Sequence, residues 1–326
     1  MTVRWKSCLS LTFLFASLGP VRAPADSAIA PTAAAEAYRR YGLDPAIPVV
    51  SRVRGTDASV LSLFDEPGRP APTNHHLSDA ERAKLVFAIQ TMPPAHRRTL
   101  KERLRTLSFL DGMPNTALTS TVNSDEAFKL FDITVNAKIL GQNVSEWLTE
   151  KERRYFNPAG SALRVSIDAG TKIDALTFAL LHEASHVVDA CERVTPPFVA
   201  KGRGNQGVTP FVDGVWTELS VPVPAYRDSV RSRIWSSAKG GAVTADQAPA
   251  VYASLRRTPF VSVYGARNWL DDFAEFVAVY HLTEVLKQPY RIVVRGGHQE
   301  VFVYEPMKSD LVRGRIGQIK RFYVGG

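Results

Sequence analysis

Thr171–Cys191, TKIDALTFALLHEASHVVDAC, has the pattern of one long helix around which the rest of the chain is expected to pack. Thr171 and Asp174 stand three residues apart, as in a capping box, so we expect the helix to begin here and to run through Cys191. At 100° per residue, its apolar side chains fall on one stripe: Ile173, Leu176, Leu180, Ala184, Val187 and Cys191. The opposite face carries His182, His186 and Asp189 beside Ala175, Phe178 and Ala179. One face is therefore predicted to build a core and the other a site.

The site face contains His182-Glu-Ala-Ser-His186, an H-E-x-x-H motif. Four residues are a little over one turn, so the two imidazoles lie about 40° apart and can share a tetrahedral ion. Glu183 is displaced by about 100°, so it can take a proton from a bound water without being a ligand. The pattern predicts Zn²⁺ held by His182 and His186, with Glu183 as general base. Asp189, one turn beyond, is a candidate acceptor for the second N–H of His186.

A catalytic zinc needs a third protein ligand. The metzincin continuation would place a glycine and a histidine where this chain has Asp189 and Glu192, so that class is excluded. The best remaining segment is Val261–Phe276, VSVYGARNWLDDFAEF, in which Asp271 and Glu275 share one helix face. One acid could be the ligand and the other an acceptor for a ligand histidine. Their neighbour Asp272 points about 100° away and has the pattern of a solvated acid at a helix start.

HEASHVVD followed by SVYGARNWLDDFAEF resembles the active-site pair of gluzincins related to anthrax lethal factor and the Pro-Pro endopeptidases. Those zinc endopeptidases carry the H-E-x-x-H helix and then a Tyr-(Gly/Ala)-x-x-Asn-x-x-Glu-x-Phe-Ala-Glu segment. The resemblance implies that Tyr264 polarises the scissile carbonyl, that Asp271 is the third ligand and that Glu275 supports the ligand shell. Asp271 is one methylene shorter than the family's glutamate, which keeps Glu275 as the alternative ligand. The long gap between His186 and Asp271 implies an insertion.

Around this pair the sequence predicts an α+β, zincin-like domain over residues 77–326, with the motif helix on a small mixed sheet. Residues 77–125 are expected to be its helical N-terminal part, and residues 195–250 show no clear periodicity. Expected helices are Ser78–Met92, a basic helix after Pro93-Pro94 to Leu107, Ser145–Tyr155, Asn268–Val285 and a last one within Lys308–Arg321. Expected strands are Phe128–Val135, Leu163–Asp168, Arg291–Val294 and Glu300–Tyr304, the last two as a hairpin. His281 and His298 are expected to have packing or surface roles.

The N-terminus has the pattern of a secretory signal peptide: Arg4 and Lys6, an apolar stretch Cys8–Gly19, and an A-x-A site at Ala23–Ala25. A retained membrane anchor is the alternative. We expect export, with cleavage near Ala25, followed by a Pro/Ala-rich linker or irregular wrapping arm, partly disordered, over residues 26–76. Cys191 would be the one cysteine left and is interpreted as a small buried hydrophobe.

Loss of residues 1–25 would remove three basic residues and no acid, so the formal charge would fall from +8 to +5. This excess predicts weak attraction to anionic cell-surface material and carries no nucleic-acid signature. The expected function is that of a secreted or periplasmic zinc endopeptidase acting on protein or peptide substrates, which could pair with the strand Leu163–Asp168. An envelope-associated binding protein with a degenerate zincin domain, or a zinc hydrolase of a non-peptide bond, are the alternatives.

Overall fold

Helices and strands alternate along the chain in the computed structural model, which describes residues 30–65, 68–124, 126–197, 207–228, 234 and 243–324. The helices are α1 (Ala30–Tyr41), α2 (Ala58–Leu61), α3 (Asp79–Thr91), α4 (Pro94–Arg103), α5 (Val144–Arg153), α6 (Ala175–Glu192), α7 (Ala248–Arg256), α8 (Trp269–Tyr280) and α9 (Asp310–Arg313). The strands are β1 (Thr73–Asn74), β2 (Leu104–Asp111), β3 (Ala117–Thr121), β4 (Phe131–Asn136), β5 (Phe156–Asn157), β6 (Leu163–Asp168), β7 (Trp216–Glu218), β8 (Val221–Pro222), β9 (Val243–Thr244), β10 (Arg291–Gly296) and β11 (Gln299–Tyr304). The predicted signal peptide at residues 1–25 lies outside the described residues.

The central helix α6 contacts one small sheet directly, and a second small sheet packs against α5. The first has the order β1-β2-β4-β3, with β2 and β4 parallel and β3 antiparallel at the edge. The second has the antiparallel order β11-β10-β6, and α5 packs along β6. Because α6 contacts α3, α4, α5, α8 and β3, every residue from Ala175 to Asp189 is buried. The α+β class is confirmed, but the motif helix is enclosed on both faces rather than on one.

The start of α6 differs from the predicted capping box. The helix begins at Ala175, and the Asp174 side chain makes no capping hydrogen bond. It forms an ion pair with Lys84 of α3 at 2.9 Å instead. The backbone of the preceding residues is drawn into a bridge with Gln142–Val144, where the Val144 amide donates to the Ile173 carbonyl at 2.9 Å. Tertiary pairing therefore replaces the local cap.

Most of the predicted elements are confirmed, including the capping box of α3, the helix α5, the strand β6 and the β10–β11 hairpin. The basic helix was predicted too long, since it ends at Arg103 and the chain continues as β2. Residues 77–125 are consequently helical only as far as Arg103, and the strands β2 and β3 follow. Leu107 and Phe109 are fully buried in that sheet, so parallel pairing with β4 outweighs the helical pattern of the sequence. The last predicted helix is broken into α9 and short 3-10 turns.

The arm over residues 26–76 is partly helical where the structure describes it. It contains α1 and α2, and its 3-10 turn Val49–Arg52 packs against the end of α4. The buried Arg52 guanidinium donates to the carbonyls of Leu100 at 3.0 Å, Lys101 at 2.7 Å and Leu104 at 2.6 Å. A cation thereby binds carbonyls at the negative end of that helix, which helps to end it there.

Three further expectations concern the insertion between His186 and Asp271, a membrane-spanning helix and Cys191. Residues 195–250 are largely irregular where described, but α7 begins at Ala248 and was missed. In the part of the chain that the structure describes, no helix combines the length and the apolar character needed to cross a membrane. Cys191 is partly buried, and burial raises its thiol pKa to about 11, which agrees with a packing role.

Candidate metal centre

Three side chains from two packed helices converge at one buried point. α6 contributes His182 and His186, and α8 contributes Asp271. The two Nε2 atoms are 3.2 Å apart, and Oδ1 of Asp271 lies 3.8 Å from each of them. Ligand atoms on a tetrahedral zinc ion are about 3.3 Å apart, given Zn–N bonds of about 2.0–2.1 Å. The triangle of donor atoms thus has roughly the size of one face of a zinc tetrahedron.

Asp271 owes its orientation to the cap of α8. Oδ1 of Asn268 accepts from the Asp271 amide at 2.9 Å, and the Asn268 side-chain amide donates to Oδ2 of Asp271 at 2.6 Å. Oδ1 of Asp271 is buried and has no hydrogen-bond partner among the described residues. Such an orphaned acceptor is costly unless something binds it. A cation between this oxygen and the two imidazoles would satisfy it.

His186 has the protonation state that a metal requires. Burial lowers the pKa of His186 well below its ordinary value, and the neighbouring His182 lowers it further. A neutral imidazole keeps one nitrogen lone pair free for a metal. His182 presents its other nitrogen to Glu275, whose Oε1 lies 3.3 Å from Nδ1. This geometry places Glu275 behind the ligand histidine rather than among the three converging donor atoms.

Glu275 is buried and remains ionised. Burial favours its neutral form, but Lys151 and His182 outweigh this and hold the pKa of its carboxyl well below the usual value. Its Oε1 accepts from Nζ of Lys151 at 2.9 Å, and its Oε2 accepts from the Ser262 hydroxyl at 2.7 Å. The carboxylate is therefore fixed at both oxygens and faces Nδ1 of His182 with a full negative charge.

The candidate base Glu183 lies under the edge strand β3. Its Oε2 accepts from the Thr119 hydroxyl at 2.7 Å, and burial raises the pKa of its carboxyl. A carboxylate whose pKa is raised is a stronger proton acceptor than one in water. Thr119 thus fixes the side chain that the sequence predicts to move a proton.

Tyr264 stands beside the ligand histidine, in the turn that precedes α8. Its ring centroid is 5.8 Å from that of His182, and the side chain is buried. Burial raises the pKa of the Tyr264 hydroxyl well above its ordinary value, so the group stays protonated and can donate. The turn is closed by the Gly265 amide, which donates to the Ser262 hydroxyl at 2.9 Å.

Two predicted roles are corrected by the contacts that the structure shows. Both oxygens of Asp189 accept from Thr195, at 2.7 Å from its amide and 2.7 Å from its hydroxyl. This carboxylate therefore fastens the chain beyond α6, whereas we had expected it to support His186. Asp272, expected to be solvated, is fully buried and bound by both guanidinium nitrogens of Arg315 and by the Trp216 indole.

The strand that the sequence predicts to receive a substrate has its free edge covered. The edge of β6 that does not pair with β10 is occupied by α5, because Thr149 bonds to both backbone groups of Ile167 and Arg153 donates to the Val165 carbonyl. At the two ends of β3, the Thr116 carbonyl accepts from the Asn136 amide and the Val122 amide donates to the Leu130 carbonyl. The backbone groups of these residues therefore point toward β4. By alternation, the backbone groups of residues 117, 119 and 121 face the other edge. The edge next to Glu183 is that of β3.

Sequence reasoning missed Lys151, Thr119 and Ser262. Lys151 is one of several charges on a helix whose pattern marks none of them as buried, and Thr119 lies in a strand that was not predicted. Ser262 falls inside the quoted tyrosine segment, so its nearness to that motif was the one available signal. His281 is buried, whereas His298 lies exposed in the hairpin turn.

Comparison of the chain with protein-family models, with curated proteins and with solved structures finds no match. The two sequence segments and the geometry of the residues that they place together are therefore the basis for assigning a function.

Proposed function

We propose that the protein is a zinc-dependent endopeptidase of the gluzincin type, with a zincin-like fold. The observation that carries the proposal is the convergence of the His182, His186 and Asp271 donor atoms beside Glu183 and Tyr264. Two imidazoles and one carboxylate are a donor set typical of catalytic zinc, with a coordination position left for water or substrate. A bound zinc would lower the pKa of a water molecule and polarise a carbonyl.

The protein's own groups account for the proton movements. Glu183, held by Thr119, accepts the proton of the attacking water and later delivers it to the leaving amine. Tyr264 stays protonated and donates to the oxygen on which negative charge develops. Glu275 fixes the ring of His182 so that Nε2 faces the donor triangle. Asp271, in this assignment, is the third ligand.

The proposal that the substrate is a peptide is based on the edge strand β3, which lies next to Glu183. An extended peptide laid along β3 would pair with backbone groups of residues 117, 119 and 121, which face away from β4. Because Thr119 also contacts Glu183, a peptide bound there would run past the base. The signal-like segment at residues 1–25 supports an exported enzyme, secreted or periplasmic.

Metal analysis of the purified protein, combined with cleavage of a peptide library by the wild type and by Glu183→Gln, tests the proposal. We expect about one zinc per chain in both proteins, and cleavage by the wild type that falls at least about a hundredfold in the variant, because proton transfer is lost. Zinc without cleavage by the wild type would favour a binding protein. Turnover of ester or amide probes but no peptide would favour a non-peptide hydrolase, and absence of zinc would overturn the assignment of the site.

A further inference from the structure

A lysine from a third helix reaches the metal centre. Lys151 of α5 is only 14% exposed, whereas Lys138, which pairs with Glu150 of the same helix, is 60% exposed. Removing an ammonium from water is costly unless a counter-charge is close. The partner of Lys151 is Oε1 of Glu275 at 2.9 Å, in a carboxylate that is 1% exposed. A buried pair of this kind points to a role at the site it faces.

The lysine brings a positive charge to a site that is rich in buried carboxylates. Glu183, Asp271 and Glu275 are three buried carboxylates within one site. Lys151 places a positive charge beside these carboxylates, and Arg267 also acts on Asp271. The influence of Lys151 extends beyond its direct partner, because it also lowers the pKa of Glu183 and of Asp271 against the larger effect of burial.

The same ammonium group contacts the candidate oxyanion donor. Nζ of Lys151 lies 4.0 Å from the ring centroid of Tyr264 and 5.3 Å from that of Trp147, one turn earlier on α5. A cation above an aromatic ring is attracted to its face and restricts how the ring can move. The Tyr264 ring therefore lies next to both Lys151 and His182.

From these contacts we infer that Lys151 is a positioning residue of the metal centre. It acts through Glu275, which it holds against Nδ1 of His182 so that Nε2 of that ring is left to bind metal, and it keeps the Tyr264 ring in place. The role rests on the proposed zinc site, and it adds to that site a residue from α5.

A double-mutant cycle on zinc affinity tests the inference without any substrate. Lys151→Met removes the charge but keeps the stem, Lys151→Arg keeps the charge, and Glu275→Gln removes the partner. We expect Lys151→Met to weaken zinc binding about tenfold, the lower end of the loss expected when an outer contact of a ligand histidine is removed. Lys151→Arg should restore most of the affinity. In the Glu275→Gln background, Lys151→Met should change the affinity by less than about threefold, since the two residues act together.

Lys138→Met is the matched control, because it removes an exposed ion pair of α5. We expect wild-type zinc affinity from it. Equal losses from Lys151→Met in both backgrounds, or wild-type affinity in Lys151→Met, would overturn the inference. If the wild type binds zinc but cleaves nothing, the proposed activity fails while the cycle still decides the role of Lys151.

A second measurement on the zinc-free protein covers the case in which zinc does not bind. Nitrogen chemical shifts of the His182 ring report which nitrogen carries the proton. We expect the Nδ1–H form in the wild type and in Lys151→Arg, and a mixture of forms in Lys151→Met. The same form in all three proteins would contradict the inference. In an active enzyme, Lys151→Met should also lower kcat more than it raises KM, because the Tyr264 hydroxyl acts on the reacting oxygen.

Discussion

Asp271 and Asp272 are adjacent, equally buried and yet bound in opposite ways. Asp272 faces the C-terminal segment, where Arg315 donates to both of its oxygens, at 3.0 and 2.8 Å, and the Trp216 indole donates at 2.9 Å. Asp271 faces the histidines, and its Oδ1 has no hydrogen-bond partner among the described residues. Burial alone does not distinguish a structural carboxylate from a ligand. The unused acceptor does, because a buried oxygen without a partner is unfavourable until a ligand binds it.

The largest expected effect is a loss of stability on mutation of Asp272, the aspartate whose two oxygens are both bound. Asp272→Asn would leave the Arg315 guanidinium buried without its counter-charge, so we expect the free energy of unfolding to fall by about 3–5 kcal/mol. Zinc affinity of the folded protein should change little. Chemical denaturation and zinc titration below the unfolding transition measure the two quantities.

Removing both charges of that pair is the control. Asp272→Asn combined with Arg315→Met should recover much of the lost stability, because no unpaired charge is then buried. A double variant as unstable as the sum of the two single ones would mean that the pair does not act as a unit. A hundredfold loss of zinc affinity in Asp272→Asn would contradict the assignment of a structural role to Asp272 and of metal binding to Asp271.

The next largest effect is a loss of zinc affinity on mutation of Asp271, the aspartate with an oxygen that has no partner among the described residues. Asp271→Ala should weaken zinc binding by at least about a hundredfold, since one of three ligands is lost, which corresponds to about 2.7 kcal/mol. The stability of the zinc-free protein should fall little, because in the described part of the chain the removed carboxylate has one buried oxygen without a partner and its other oxygen is bound only by Asn268. Glu275→Ala should weaken zinc binding less, by about tenfold, because it removes only the support of His182. Competition with a chelator of known affinity ranks the two variants, and the reverse order would make Glu275 the third ligand.

The part of the site that could be predicted from the sequence is the part set by local spacing. His182, Glu183 and His186 lie on one helix, so the helical repeat alone places them together, and Asp271 and Glu275 are related in the same way. Lys151 could not be found, because its partner is more than a hundred residues away and nothing in the pattern of α5 marks its burial. The pairing of Asp272 with Arg315 depends likewise on how the C-terminal segment packs against α8.

The fold shows the same division. The strand β6 and the hairpin of β10 and β11 were predicted, because alternation and a Gly-Gly turn are local signals. The strand β2 was missed, because LRTLSFLD directly follows a basic helix and becomes a strand only through parallel pairing with β4. The start of α6 was predicted too early for a related reason. Asp174 pairs with Asn143 in a β-bridge, so the helix begins only at Ala175.

The smallest expected effect is a change in the pH dependence of stability. It tests the same contrast between polar atoms with and without a partner at His96, which contacts Ser185 of α6. His96 is fully buried, and its Nε2 lies 3.0 Å from the Ser185 hydroxyl, which itself donates to the Leu181 carbonyl at 2.8 Å. Nε2 of His96 is therefore the donor, and Nδ1 has no hydrogen-bond partner among the described residues. Burial, with a smaller contribution from His281, lowers the pKa of His96 to about 3.

A proton added to His96 would need a partner for Nδ1, so acid should destabilise the fold here. The unfolded chain binds this proton below a pKa of about 6.5 and the folded chain only near 3, so the stabilisation is complete above pH 6.5 and is lost as the pH falls toward 3. Replacing His96 by Gln keeps a donor to Ser185 and removes the titration. Between pH 6 and pH 4, the free energy of unfolding should then fall less steeply than in the wild type, by up to about 1.4 kcal/mol per pH unit. Denaturant titrations of both proteins at matched pH values measure the two slopes, and parallel slopes would mean that His96 does not carry this acid sensitivity.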